Sequence, residues 1–442
     1  MPEESSPGSP VVTLRQLRQL RRWSQSDTAR RLRQLSIYTT GVAVTVSAET
    51  VSRWERGVSL PRRGSQILLC QLFKVDPADL GFSVEVPPVQ LLPHSRMTLA
   101  QILDWWLDIT ADREVWLGPA ETDQPADHAE TAEEDPLARA VSLTAQYRKL
   151  AEVTGTREQY APALAQLQAL AGLVAEVGSP PEPLAHAVAS TAQLISCFAL
   201  DQRELPVALW YASLAIVAAR EAHDQALEAY ALVSLAEAYV ELDNPYLALV
   251  AVTYALPADL EDMPAALQVC VYSVQAELHV RLKEPKEAAV CLREATIAML
   301  ETYREEPPPW LSFDNEDFAA RYGRCYLMCG SLKDAQEWLE GALDDLDPLH
   351  ARRRASILVD LAAAHLGQGH VPDACQCARQ ALELAVKADS EHVMYRFNEL
   401  TSPLLERIAE PGVVDLITDS IRIRGDYWEA RQNLLSSGRS IV

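Results

Sequence analysis

The feature that most constrains the fold of this chain is a pattern of small residues that recurs five times from about residue 185 onward. In each set, a small residue is followed after three positions by an aromatic residue or histidine, after twelve by alanine, and after a further seven by a second alanine. The sets are Ser196/Ala199/Ala208/Ala215, which lacks the ring, then Ala236/Tyr239/Ala248/Ala255, Ala276/His279/Ala288/Ala295, Gly323/Tyr326/Ala335/Ala342 and Ala362/His365/Ala374/Ala381. Small side chains are needed where the two helices of a hairpin cross closely, and the ring fills the space beside them. The pattern therefore predicts a row of helical hairpins.

The sets are spaced 40, 40, 47 and 39 residues apart, and the pattern resembles tetratricopeptide repeats, whose minimal period is about 34 residues. The resemblance covers roughly residues 140–405 if a weaker hairpin at 137–177 is counted, and an insert at 305–317 accounts for the longest spacing. It implies an all-α fold, with a right-handed TPR-like α-solenoid over 137–405 and capping helices over 406–442.

In a stack of this kind, the first helix of each repeat lines the inner surface. Projection of the pattern places nine residues on that groove: Gln193, Tyr230, Glu237, Glu241, Ser273, Glu277, Arg281, Arg321 and Arg324. The mixture of acids and arginines suits an extended peptide with charges of both signs. A solvated face would have the same composition, and the sequence leaves both interpretations open.

The charge of the chain is divided unevenly along its length. Residues 11–82 hold twelve Lys and Arg against five Asp and Glu, a net charge of +7, whereas residues 83–442 have a net charge of −28. A basic segment on an acidic body assigns polyanion binding to the basic segment alone.

The basic segment contains a succession of short helical patterns. A leucine stripe runs through residues 13–22, Ser24 and Asp27 can cap a second helix, and Ser47 can cap a third that Gly57 stops. A fourth helix is expected over Ser65–Phe73 and a short fifth turn over Asp76–Leu80.

Three motifs in this segment carry a resemblance to a known family. They are W-S-Q-S-D-T-A-R-R-L, V-S-A-E-T-V-S-R-W-E-R-G-V-S-L-P and V-D-P-A-D-L-G-F, and in this order they are similar to the phage-repressor (Xre/Cro) type of helix-turn-helix. The resemblance covers roughly residues 11–82 and implies a five-helix DNA-binding domain.

That resemblance also implies roles for individual residues. Gln25 would contact phosphate, and the third helix would enter the major groove. The residues that would meet base edges are Ala48, Glu49, Thr50, Ser52 and Arg53. Arg53 can donate to guanine and Glu49 can accept from cytosine, while Arg56, Arg62 and Arg63 would contact phosphate. A helical bundle with merely solubilising arginines is the alternative.

The segment between the second and third helices departs from the family, because Gln34–Val46 replaces a turn of a few residues. It is β-branched around Gly41, and we expect a small hairpin or a loop. Such an insert would reach along the DNA backbone or tilt the third helix.

Residues 83–136 are expected to connect the two parts of the chain. Pro87, Pro88 and Pro93 predict a linker, and residues 96–117 predict an apolar helix with Trp105, Trp106 and Trp116, which favours packing or dimerisation over a ligand cage. Residues 119–136 carry seven acids and no base, which suits a flexible tether or, alternatively, a DNA mimic that shields the basic segment.

The sequence gives little support for catalysis, a metal or a cofactor. No phosphate-binding loop, nucleophile elbow or metalloprotease motif occurs. The spacing of His365, His370, Cys375 and Cys377 does not place them on one helical face, so no metal is expected. Cys325 and Cys329 lie one turn apart, where buried thiols are favoured over redox sensing. Without a signal segment or a sufficiently long apolar run, we expect a cytoplasmic protein that does not cross a membrane.

The combination of a helix-turn-helix with tetratricopeptide repeats resembles the bacterial peptide-pheromone receptors of the Rap/PlcR/PrgX quorum-sensing group. The resemblance implies a homodimer that reads a palindromic double-stranded DNA site and responds to a short peptide in the groove. That group clamps peptides with asparagines, whereas the four asparagines here do not share a repeated groove position. A DNA-anchored scaffold that binds a partner protein is therefore the alternative.

Overall fold

A computed structural model describes residues 13–21, 23–40, 46–73, 75, 80–82, 98–111, 136–256, 263–302 and 305–436. Every regular element in these ranges is a helix, which confirms the all-α prediction. The chain forms two compact units, residues 1–95 and residues 96–442.

The N-terminal unit contains four α-helices within its described residues. They are α1 (Leu14–Leu20), α2 (Gln25–Thr40), α3 (Ala48–Glu55) and α4 (Arg63–Phe73). Their core includes Leu14, Leu32, Val51 and Leu69. Most of the expected fifth turn, residues 76–79, lies outside the described residues.

Helix α2 is longer than expected. It continues to Thr40, so the hairpin or loop predicted for Gln34–Val46 is wrong over residues 34–40, and residues 41–45 lie outside the described residues. Neither glycine nor proline occurs between Gln25 and Gly41. The lower helix propensity of β-branched residues amounts to only about 0.5 kcal/mol each, which does not stop an established helix.

The C-terminal unit begins with α5 (Leu99–Ala111) and continues as successive helical hairpins. The hairpins are α6 (Pro136–Thr154) with α7 (Thr156–Val177), α8 (Glu182–Asp201) with α9 (Leu205–Glu221), α10 (Gln225–Glu241) with α11 (Pro245–Tyr254), α12 (Ala265–Arg281) with α13 (Pro285–Thr302), α14 (Asn315–Cys329) with α15 (Leu332–Asp345), and α16 (Ala351–Gln368) with α17 (Val371–Lys387). Helices α18 (Glu391–Arg396), α19 (Thr401–Glu406) and α20 (Val413–Ser436) follow.

The recurring small residues lie where the two helices of each hairpin cross. Ser196, Ala236, Ala276 and Ala362 are at most 1% exposed. At Gly323, an added Cβ would lie 2.7 Å from Leu339 Cγ, so α14 and α15 approach too closely there for a larger residue. The pattern thus reports helix packing, as the sequence indicated.

Most of the tight turns of the C-terminal unit use one residue in the left-handed region. The φ angle is +57° at Arg203, +54° at Asp243 and +62° at Lys283, with glycine at positions 330 and 369 in two later turns. One such residue reverses the chain after the last helical carbonyl, so consecutive helices pack antiparallel with short connections.

The two ends of the hairpin series meet, which the sequence did not predict. Arg157 Nε lies 2.5 Å from Asp389 Oδ2, and Ser390 Oγ donates to Asp201 Oδ1 at 2.6 Å. Gly155 has φ +93°, and a Cβ there would lie 2.5 Å from the Ala388 carbonyl oxygen. The contacts between α6–α8 and the chain at 388–391, here called the closure seam, bring the first and last inner helices together.

Helix α5 packs on the hairpins. The Trp106 ring lies 6.2 Å from Trp210 and 6.4 Å from Tyr211, centroid to centroid. This is the packing role that its aromatic residues indicated. The side chain of Trp105, and Trp116 with the segments 83–97 and 112–135, lie outside the described residues.

Helix α8 is the one described helix that is long and apolar enough to cross a membrane. Within the protein, 78% of its apolar window is buried. It is therefore the central helix of a hairpin core, and its composition follows from that burial.

Candidate functional site

Helix α3 presents a polar face to solvent. Ser47 caps it, since Ser47 Oγ accepts from Thr50 N at 3.2 Å and Ser47 N donates to Thr50 Oγ1 at 3.3 Å. Val51 anchors the helix at 0% exposure. Glu49, Arg53, Arg56 and Arg62 are exposed, while Ala48, Thr50 and Ser52 are half-buried; the side chain of Arg63 lies outside the described residues.

A nearly buried ion pair holds α3 against α1 and α2. Arg18 Nε and Nη2 donate to Glu55 Oε1 and Oε2 at 2.5 and 3.1 Å, and Gln25 Nε2 donates to Glu55 Oε2 at 2.8 Å. Burial would raise the pKa of Glu55, but Arg18 and Gln25 hold it below its usual value. In the DNA-free protein, Gln25 thus helps to position α3. The contact with phosphate that was expected for Gln25 stays a prediction.

One predicted base contact is already engaged. Arg56, the residue that follows α3, donates from Nη2 to Glu49 Oε1 at 3.1 Å, so Glu49 has a competing partner within the protein. Both side chains are more than half exposed, and such a pair contributes at most about 1 kcal/mol. DNA can therefore replace it.

The inner helices of the hairpins line a cavity of about 300 Å³ that is partly open to solvent. Seven of the nine predicted groove residues lie in its wall: Tyr230, Glu237, Glu241, Glu277, Arg281, Arg321 and Arg324. Gln193 and Ser273 do not line it and are fully buried, since Gln193 bonds Arg148 and Ser234, and Ser273 donates to the Cys270 carbonyl. The inner surface therefore forms a cavity and not the extended groove that was predicted. The reason is that the closure seam brings the last helices opposite the first.

Glu277 is the centre of the charge network in this wall. Its carboxylate lies 2.9 Å from Arg281 Nη2, 2.9 Å from Arg321 Nη1 and 3.5 Å from Arg324 Nε, and Arg321 Nη2 also reaches Glu237 at 2.9 Å. Burial would raise the pKa of Glu277, but the three guanidinium groups lower it well below its usual value. The carboxylate is therefore charged and saturated by its neighbours.

A second network lies where α6 meets α14 and α16. Arg352 Nη2 donates to Glu152 Oε1 at 2.9 Å, and Arg353 Nη2 lies 3.0 Å from Asp317 Oδ1. Burial raises the pKa of Asp317 to about 7, with Arg353 acting against this and Asp314 adding to it. The wall thus holds a carboxyl group that can gain a proton near neutral pH.

The sequence projection missed several residues of this wall. They are Arg148, Glu152, Asp201, Asp317, Arg352, Arg353, Asp360 and His392. Arg352, Arg353 and Asp360 lie on α16, the first helix of the sixth hairpin, so the projection could have reached them. Those on α6 and α18 depend on closure, for which the sequence carried no signal.

The insert at 305–317 contributes to the cavity. The Trp310 ring lies 5.9 Å from the ring of Tyr230, centroid to centroid, and the Ser312 backbone N donates to Tyr230 Oη at 3.3 Å. Ser312 and Phe313 then line the cavity. The longest gap between repeats therefore supplies part of the wall.

Glu241 connects the wall to α18. It lies 3.1 Å from His392 Nε2 and 2.6 Å from Arg203 Nη1. Burial would raise the pKa of Glu241, but the hydrogen bond and charge of His392, with Arg203, lower it to about 2. The folded protein therefore stabilises the charged form of Glu241 more than the unfolded chain does.

Glu241→Gln is expected to reduce the free energy of unfolding by about 3 kcal/mol at about pH 6, because the unfolded pKa is about 4.3 and each pKa unit corresponds to about 1.4 kcal/mol. A carboxyl group with a lowered folded pKa stabilises the fold above its unfolded pKa, and this contribution is lost as the pH falls. The wild type and the variant should therefore converge between about pH 4 and pH 2. Urea unfolding across this range measures the difference, and a gap that stays constant down to pH 2 contradicts the assignment.

Among the described residues, the ligand atoms of His365, His370 and Asp373 lie within 4.8 Å of one another. The sequence analysis considered His365 and His370 with Cys375 and Cys377 and expected no metal there, and it did not include Asp373. His365 is buried, with Nδ1 lacking a hydrogen-bond partner among the described residues, while His370 and Asp373 are exposed. These three residues are the ones that could hold a metal ion.

All eight cysteines are thiols that take no part in a disulfide. Cys325 is buried, and burial raises its pKa, as expected for an unreactive core thiol. Cys329 is exposed, contrary to the expectation that both thiols are buried, because it is the last residue of α14.

Comparison with known proteins supports the N-terminal unit. Residues 11–81 match the family described as "Helix-turn-helix domain". No curated protein and no solved structure matches the chain. The match covers the residues that build α1 to α4, and it indicates a DNA-binding regulator.

Proposed function

We propose that this chain is a sequence-specific transcription regulator in which a TPR-like repeat domain senses a small ligand and α3 reads the major groove. The main observation in support is the exposed polar face of α3. This helix is capped by Ser47, is held by the buried Arg18–Glu55 pair, and lies in a segment that matches a helix-turn-helix family. The net charge of +7 over residues 11–82 supports contact with phosphates.

Arg53→Ala is expected to weaken binding to the selected DNA site by roughly 10- to 100-fold and to relax the base preference at one position, because a bidentate contact to guanine discriminates by about 1–3 kcal/mol. The measurement is selection of sites from random DNA by the full-length protein, followed by titration at one fixed salt concentration.

Arg30→Ala is the matched control, since Arg30 is an exposed arginine on α2 that pairs with Asp27. It should lower affinity slightly and leave the base preference unchanged. If Arg53→Ala retains both the affinity and the motif of the wild type, α3 is not the reading helix.

The repeat domain supports ligand sensing through its cavity. Ligand sites typically measure about 300–1,000 Å³, so a cavity of about 300 Å³ suits a small molecule or a short peptide. Helices from both ends of the hairpin series form the wall. A ligand that binds one conformation of the closure seam more tightly than another would therefore increase the population of that conformation. In a homodimer on a palindromic operator, that shift would change the spacing of the two DNA-binding units.

The small volume of the cavity, about 300 Å³, favours a small ligand over a partner protein as the occupant. We place the regulator in the cytoplasm as a homodimer. Native mass spectrometry of the protein purified from its own cells tests the homodimer and the small ligand together. A dimer that carries a short peptide or small molecule supports them, whereas a monomer with a stoichiometric protein partner supports the scaffold alternative.

A further inference from the structure

Arg148 on α6 differs from the other arginines of the cavity wall. Arg281, Arg321, Arg324, Arg352 and Arg353 each have a carboxylate oxygen within 3.5 Å. Arg148 has no carboxylate within 4.0 Å in the part of the chain that the structure describes. It is nevertheless only 7% exposed. Its charge is therefore buried without a counter-ion from these residues.

Neighbouring side chains hold the guanidinium of Arg148 in place. Arg148 Nη2 donates to Gln193 Oε1 at 2.8 Å, and Gln193 Nε2 in turn donates to Ser234 Oγ at 2.9 Å. Arg148 Cζ lies 5.9 Å from the centroid of the Tyr230 ring. Arg148 Nε is buried and has no hydrogen-bond partner among the described residues. The group is thus oriented beforehand, with part of its donor capacity unused.

A buried guanidinium without a counter-ion is costly in a folded protein, because several kcal/mol of hydration free energy are lost per ion. Other charges in this wall avoid that cost by pairing, as Glu277 does with three arginines. An arginine that is held in position without a pair is therefore suited to an anion that enters from outside.

We propose that the cavity binds a small ligand through a carboxylate group, and that Arg148 is the residue that pairs with this carboxylate beside Tyr230. This inference rests on the proposed ligand-sensing function and names its ligand class. One unpaired guanidinium matches one negative charge, which distinguishes a carboxylate from a doubly charged phosphate. The cavity of about 300 Å³ lies at the lower end of the range of ligand sites, which supports a small ligand.

Two kinds of molecule carry such a group: a very short peptide with a free C-terminus, and a non-peptide carboxylic acid. The experiment uses the full-length protein and three probe mixtures at millimolar concentration. They are dipeptides with free carboxyl groups, the same dipeptides amidated at the C-terminus, and small aliphatic and aromatic monocarboxylic acids. Thermal unfolding gives the stabilisation by each mixture, and calorimetric titration gives the affinity of each component that stabilises.

The test variant is Arg148→Met, and the matched control is Arg139→Met, which changes an exposed arginine on the same helix. We expect one of the free-acid mixtures to stabilise the wild type and the Arg139→Met protein. Arg148→Met should weaken that binding by roughly 10- to 100-fold, as for a lost hydrogen bond to a charged group.

The outcomes separate this inference from the proposed function. Equal binding of free and amidated dipeptides overturns the carboxylate assignment and leaves ligand sensing standing. Free-acid binding that survives Arg148→Met overturns the role of Arg148. If no probe binds, the carboxylate inference is wrong. The proposed function is then judged by whether operator affinity changes with an extract of the protein's own cells.

Discussion

Glu277→Gln is expected to lower the free energy of unfolding of the C-terminal unit by about 5 kcal/mol, because breaking a buried ion pair leaves the partner charge without compensation. Glu277 is 5% exposed and forms ion pairs with Arg281, Arg321 and Arg324. A neutral amide can accept a hydrogen bond from one of them but supplies no charge. Urea unfolding of the full-length protein, followed by far-ultraviolet circular dichroism, measures the loss.

Glu294→Gln is the control for this substitution. Glu294 is paired with Arg293 on the outer helix α13, where the two side chains are 37% and 65% exposed. Exposed pairs of this kind contribute at most about 1 kcal/mol, so this variant should remain close to the wild type. Equal losses in the two variants would show that Glu277 is not the centre of the network.

Glu55→Leu is expected to remove about 4 kcal/mol from the stability of the N-terminal unit, since it strands the Arg18 guanidinium in a site where both side chains are at most 14% exposed. A small domain has only about 5–15 kcal/mol in total. Much of the unit should therefore be unfolded at 37 °C, and DNA binding should fall with it. Thermal unfolding and DNA titration of the same preparation measure both effects.

The double variant Arg18→Met/Glu55→Leu separates the ion pair from the packing around it. Replacement of both charges by apolar side chains of similar size removes the stranded charge, and such replacements are often neutral or stabilising. Stability and DNA binding should therefore recover in the double variant. If the double variant is as unstable as Glu55→Leu alone, the loss arises from packing and not from the charge on Arg18.

Local patterns were enough to locate most helices. Ser47 with Thr50, and Ser24 with Asp27, form caps within four residues of sequence, so their effect does not depend on the rest of the fold. The recurring alanines likewise report contacts inside one hairpin. Helix α2 is the exception, since the absence of glycine and proline between Gln25 and Gly41 outweighed the β-branched composition used to predict a loop.

The residues of the cavity wall were predictable where the periodicity of a single helix places them. Tyr230, Glu237 and Glu241 lie on one face of α10, and the 3.6-residue period of the helix places them there in any fold that stacks hairpins. The same reasoning failed for Gln193 and Ser273. A helix that is buried on all sides has no solvent face by which sequence can distinguish its inner positions.

What the sequence determined by itself was therefore the set of helices, their pairing into hairpins, and the polar face of α3, because caps, turns and helical periodicity act over a few residues. The tertiary structure alone decided that the series closes. Closure depends on the curvature accumulated over all the hairpins and on contacts such as Gly155 with Ala388 and Arg352 with Glu152, whose partners are about 200 residues apart. The packing of neighbouring inner helices likewise decided that Glu277 is paired with arginines of α14 and that Arg148 bonds Gln193 of α8, since the partners of a buried charge are set by the elements that surround it in space.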